Sequence, residues 1–262
     1  MMNGSEIRYK VWALPPFLFF VGFSIFVLLW SIMEPCTLVS AFDANGRSIF
    51  ELATLPVYAA IIPFVWFKCP FDGSLLRRRV LSLMVTLVVV MAILKQLDLH
   101  SAALHLFYPS FVGEDGSLLA GLLKPNGNPL VGTPFKMRVV TNGGVPLGMK
   151  ALILFYFAAF FGVFAAGSVY LASHWIKGVF SLKPSAWAVG CMFASGAVVQ
   201  IMDRLPSWIR EATGKRMADG DESVRALCTA LEEGGEMLLA VFAVMAILFG
   251  ARELFGKEAD NG

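Results

Sequence analysis

Apolar residues in this chain come in long runs, not in strict alternation or narrow stripes. Six stretches, at about 12–33, 51–68, 79–99, 149–173, 184–203 and 231–251, are apolar almost throughout. A helix needs about 20 residues, at 1.5 Å each, to cross the hydrocarbon of a bilayer. The pattern predicts an all-α integral membrane protein with about six transmembrane helices, the whole of 1–262 forming one polytopic domain. Prolines interrupt two of the stretches, Pro15 and Pro16 in the first and Pro56 and Pro63 in the second. Neighbouring helices can cover the carbonyl groups that such breaks free. A short surface helix is expected near 117–123, and the segment 222–236, with Asp221 and Ser223 as caps, is expected to run unbroken into the last span.

Composition agrees with the pattern. Hydrophobic residues make up 57% of the chain, charged residues 15%, and the mean hydropathy is +0.70, whereas soluble domains carry about 25% charged residues. The net charge of +2 and the absence of basic blocks interleaved with aromatics exclude nucleic acid as a partner. No internal repeat is visible, so the inverted-repeat transporters receive no support. Arg8 and Lys10 precede the first apolar run, and Val39-Ser40-Ala41 resembles a cleavage site. That site lies well beyond the end of a run already long enough to span, so an uncleaved first helix is expected.

Charge in the short loops sets orientation. Lys68, Arg77, Arg78 and Arg79 lie between spans two and three, and Lys177 and Lys183 lie between spans four and five. Arg8 and Lys10 at one end and Arg252 and Lys257 at the other fall on the same side in a six-span arrangement. The expectation is N-in/C-in, in the bacterial inner (cytoplasmic) membrane, with the two longer loops, 100–148 and 204–230, facing outward. The arginine run is a topogenic signal first and an anionic-lipid contact second. Cys36 and Cys228 then both face outward, where a disulfide between them can persist; two free thiols fit equally well.

Span length singles out a set of charged residues. The uninterrupted apolar run of the last span, Met237 to Gly250, is too short to cross. It must draw in Glu232, Glu233 and Glu236, which places them at or below headgroup depth. The third span needs Lys95 and Asp98 for the same reason, the second begins at Glu51, and Asp203 and Arg204 end the fifth. Charges at such depth normally face the bundle interior and pair, so Lys95 and Arg204 are expected to neutralise some of the acids, Asp203 and Glu233 among them. Glu232 and Glu236 share a helix face, and Gly234 and Gly235 between them permit close approach of another helix. Asp98 and His105 align only on a continuous helix; Asp98 and His100 act together only if the helix ends near Leu99. Carboxylate and imidazole suit a divalent metal ion, and Glu51, Asp98, His100, His105, Glu232 and Glu236 are the candidate ligands. The Glu-x-x-His pairs of di-iron bundles are missing. A solvated headgroup-level rim and a structural ion-pair network explain the same acids. His174 reads as an interface anchor beside Trp175.

Lys95-Gln96-Leu97-Asp98-Leu99-His100, with Leu123-Lys124, Pro146 and Lys150, resembles a family of uncharacterised bacterial inner-membrane proteins. That family shows a basic-x-x-Asp-x-His signature at a helix end and a Glu-Glu-x-x-Glu signature before its last helix, similar to Glu232-Glu233-Gly234-Gly235-Glu236. Lysine stands at 95 where arginine is more usual. The resemblance covers about a quarter of the chain and implies site residues, not a reaction. Three functions fit the cluster. The first is a binding or scaffold subunit of an envelope assembly, in contact with membrane lipids and other envelope proteins. The second is a metal-dependent, hydrolase-like enzyme at the outer leaflet. The third, a transporter, ranks last, because the span middles hold few ionisable groups beyond Tyr58 and Cys191.

Overall fold

The computed structural model describes residues 11–42, 48–69, 71, 73–97, 99–114, 117–119, 134–135, 137–213 and 222–260. They form nine α-helices: α1 (Leu14–Ile32), α2 (Pro35–Phe42), α3 (Ile49–Lys68), α4 (Leu75–Gln96), α5 (Leu99–Phe107), α6 (Met137–Val140), α7 (Leu147–Val179), α8 (Pro184–Thr213) and α9 (Glu222–Asp260). The described residues contain no β-strand, only an isolated bridge between Val112 and Leu118. All six expected spans fall on helices, namely α1, α3, α4, α7, α8 and α9. Among the described residues four of these, α1, α7, α8 and α9, are long and apolar enough to cross a membrane; the apolar stretch of α3, Leu52–Lys68, is shorter.

Proline places several boundaries. Pro15 and Pro16 sit in the first turn of α1, where the missing N–H removes no helical bond. α1 ends at Ile32, where Met33 turns extended, and α2 restarts on Pro35, whose ring disfavours a helical residue ahead of it. Pro56 and Pro63 lie inside α3, and the helix continues through both. α9 starts at Glu222 and runs for 39 residues, about 58 Å, so the expected unbroken passage from 222 into the last span is observed.

The chain forms two compact units, Met1–Val89 with Ser168–Gly262, and Val90–Gly167. In the larger unit α9 is the central element and packs on α1, α2, α3 and α8. α1 runs antiparallel to it: Gly22 meets Leu238, and Phe26 meets Gly234. The Trp30 indole N–H donates to both the carbonyl (2.8 Å) and the hydroxyl (3.0 Å) of Ser223; expected as a cap, Ser223 is instead the second residue of α9, and Asp221 lies outside the described residues. Leu38 and Phe42 of α2 are fully buried in a cluster with Phe26, Ala226, Ala230 and Phe242, and Phe42 stacks on Phe50 at 3.8 Å.

The smaller unit has its own core of Leu104, Val112, Leu118, Val139, Val145, Met149 and Ile153. Residues 117–119, expected in a short helix, instead run back along 111–113: Gly113 N–H donates to Ser117 O (2.8 Å) and Leu119 N–H to Phe111 O (3.0 Å). The bonds that a helix would make locally are taken up by this turn. Residues 120–123 of that expectation lie outside the described residues.

A side chain at 234 would place its Cβ 2.5–2.6 Å from the Phe26 ring. Gly234→Leu is therefore expected to destabilise the protein by about 1–3 kcal/mol through overpacking, read as a lower thermal midpoint in detergent. A midpoint equal to wild type would show that α1 and α9 do not pack this tightly.

Candidate functional site

The acidic run lies on α9 where three helices converge. Gly234 abuts Phe26 of α1, and Gly235 abuts Val199 of α8 and Phe23 of α1. With the two glycines turned to α1 and α8, helical spacing turns Glu233 and Glu236 to another side, towards α3. There the phenol of Tyr58, 8% exposed, lies within electrostatic reach of Glu236 and Glu233. Glu232 stands close enough to act on the Cys228 thiol. All three carboxylates interact with further neighbours.

These neighbours are not at helix ends. Phe23 is nine residues from either end of α1, and Tyr58 is nine residues from the start of α3 and ten from its end. The acids on α9 therefore lie level with the midpoints of α1 and α3, on the side turned to α3. Span-length arithmetic placed them at or below the rim; the packing brings them to mid-length. Ser195 is wholly buried between Cys191 and Val199 on α8, and its hydroxyl has no hydrogen-bond partner among the described residues.

The other candidates are dispersed. Asp203 and Arg204 do pair, at 3.5 Å, but they are sequence neighbours and exposed, 50% and 64%; such a pair contributes little. In the smaller unit α4 ends at Gln96 and α5 begins at Leu99, so the helix breaks where a joint role for Asp98 and His100 requires it. Asp98 itself, and the side chains of Glu51, Lys95 and His100, lie outside the described residues. His105 Nδ1 is engaged by the carbonyl of Val112 at 2.7 Å, which pins the turn after α5. Among the described residues no three His, Cys, Asp or Glu side chains stand close enough together to hold a metal ion. Cys36 is exposed, Cys228 is buried, and both are free thiols, so the Cys36–Cys228 disulfide is not formed.

A second polar group was not anticipated. At the far end of α9, about 25 Å along the axis from Glu236, Glu253 reaches the start of α8. Its Oε1 accepts from the Ser185 N–H at 2.9 Å, and its Oε2 accepts from the Ser185 hydroxyl at 2.7 Å. His174 of α7 lies 2.9 Å from the same hydroxyl through Nε2. A serine hydroxyl has one proton. Because it goes to Glu253, Ser185 must accept from His174, and Nε2 carries the ring proton. In a serine hydrolase the histidine stands between serine and carboxylate; here the serine stands in the middle, its proton held by the carboxylate. The arrangement clamps α7, α8 and α9 together and satisfies an otherwise orphaned N–H at the α8 N-terminus, with a negative charge on the favourable side of the helix dipole. The only sequence signal for it was three polar residues near the ends of three apolar helices, all assigned to one side.

Comparison with family models, curated proteins and solved structures yields no match. The site therefore stands on its own geometry.

Ser185→Ala removes the centre of the clamp and strands His174 Nε2 and one carboxylate oxygen. Unmet polar groups of this kind cost about 1–3 kcal/mol. The expected result is a lower thermal midpoint, with Ser185→Thr, which keeps the hydroxyl, recovering most of it. Equal midpoints for Ala and wild type would show that the clamp carries no stability.

Proposed function

We propose that the protein is a six-span, N-in/C-in subunit of the bacterial inner membrane that serves as a binding or scaffold element of an envelope assembly, with Glu232, Glu233, Glu236 and Tyr58 acting as its interhelical lock. The observation that carries this reading is the packing of α9 on α3, which brings Glu233 and Glu236 within electrostatic reach of buried Tyr58. Ionisable groups at membrane depth are tolerated where they face other helices and find partners, and these do. The resemblance to inner-membrane proteins bearing a Glu-Glu-x-x-Glu signature supports the same compartment. Exposed Arg77 and Arg79, beside Lys68, suit the anionic headgroups of the cytoplasmic leaflet.

A second reading has one specific observation in its favour. α1 is 19 residues long, about 28 Å, which just matches the hydrocarbon thickness. Its central Phe23 then marks the bilayer mid-plane, and Gly235, with the acids around it, sits near that plane. Carboxylates there can take up a proton or a cation. The metal-dependent enzyme reading draws on Glu51, Asp98 and His100 and gains no further support from the described residues.

Glu236→Gln and Tyr58→Phe separate the first two readings. A lock predicts that each lowers the thermal midpoint, by about 2–10 °C for a loss of about 1–3 kcal/mol, and that proteoliposomes show no proton or cation flux with or without the substitution. Wild-type flux that Glu236→Gln abolishes at an unchanged midpoint would overturn the scaffold reading.

The topology has its own test. Cys36, exposed at the start of α2, is expected to react with a membrane-impermeant maleimide in intact spheroplasts, and Cys69, just after α3, only after permeabilisation. The reverse order would invert the orientation.

A further inference from the structure

Helix α5 carries an apolar stripe on its outside. Leu99, Ala103, Leu106 and Phe107 fall at i, i+4, i+7 and i+8, one face of a helix, and all four are exposed, Leu106 at 78% and Phe107 at 70%. The opposite side is the one the protein uses: Leu104 is buried in the core of the smaller unit, and His105 is bound to Val112 O. In a water-soluble protein a stripe of this spacing faces the core. Here it faces away from the core of the smaller unit.

The position of the stripe indicates what covers it. Tyr108, the residue after α5, brings its hydroxyl against Gly148, so closely that a Cβ at 148 would collide with it. The C-terminus of α5 is therefore held beside the first turn of α7. α7 is one of the helices long and apolar enough to cross a membrane, and its first residue, Leu147, is 83% exposed. Leu106 and Phe107, immediately before Tyr108, are thus held near the first turn of α7, where Leu147 is as exposed as they are.

We infer that α5 is an interfacial helix, lying on the same leaflet that α7 enters, with Leu99, Leu106 and Phe107 in the zone between headgroups and acyl chains. Its ligand is the phospholipid surface itself. Short helices with one apolar face bind there by burying that face about 5–10 Å into the boundary. The helix would fix the height of the smaller unit above the bilayer. The inference rests on the membrane reading of α7.

The test uses an environment-sensitive fluorophore on a cysteine at 107, in full-length protein whose accessible Cys36 and Cys69 are replaced by serine. The protein is reconstituted in vesicles of phosphatidylethanolamine and phosphatidylglycerol. Lipids with a nitroxide at carbon 5 should quench the Phe107→Cys label strongly, lipids with the nitroxide at carbon 12 less so, and aqueous iodide hardly at all. A label at Phe161→Cys, exposed near the middle of α7, should be quenched best by the carbon-12 lipid. If the 161 label behaves so while the 107 label is open to iodide, or is shielded from iodide and from both nitroxides as under a protein partner, the interfacial helix is wrong and the membrane reading stands. If the 161 label also escapes both nitroxides, the membrane reading of α7 falls. Leu106→Cys, on the same face, repeats the measurement should Phe107→Cys not fold.

Discussion

Gly234 and Gly235 leave α9 with a stretch bare of side chains, and into it fit the ring of Phe26 and the branched side chain of Val199. Lipid tails are as apolar as leucine, so membrane helices gain little from burying hydrophobic surface against one another. Close van der Waals contact must do the work instead, and small residues permit it. In the larger unit this contact fixes the rotation of α9. Once the glycine face is committed to α1 and α8, the neighbouring carboxylates have no choice but the side towards α3. The chemistry of the acidic run therefore follows from its two glycines.

The two polar groups solve the same problem differently. Towards the middle of α9 the acids sit among helices, two of them within electrostatic reach of a phenol. Near its C-terminal end Glu253 satisfies a helix terminus, through two bonds to one serine and with a histidine behind it. The second arrangement ties three helices together through Ser185, and it reads as structural. The first leaves a wholly buried serine hydroxyl on α8, Ser195, without a hydrogen-bond partner among the described residues.

Most of the helical architecture was legible in the sequence, because apolar run length is a direct consequence of bilayer thickness. Each of the six expected spans lies on a helix. The long continuous α9 could also be read from periodicity, whereas the break between α4 and α5 was one of two alternatives the pattern left open. Depth was harder. Run length marks where polar residues begin but not how far a helix slides past its neighbours, and α9 slides far enough that Glu236 faces the middle of α3. The clamp at Ser185 was invisible for another reason: its members are 11 and 68 positions apart, and no local pattern couples them. Residues 117–119 leave the expected helix because their backbone pairs with 111–113, four to eight positions back in the chain. Asp98, Glu51 and His100, the remainder of the sequence-derived set, lie outside what the structure describes.

Trp30 binds Ser223 across 193 positions, and this separation has a consequence for biogenesis. α1 leaves the ribosome first, α9 after every helix it packs against. For most of synthesis, then, α1 sits in the bilayer with Gly22 and Phe26 facing lipid and its indole N–H without its final acceptor. An apolar helix tolerates that wait; a helix carrying the acids would not. Because α9 follows α1, α3 and α8 in the chain, its carboxylates enter a membrane where those helices are already waiting to receive them.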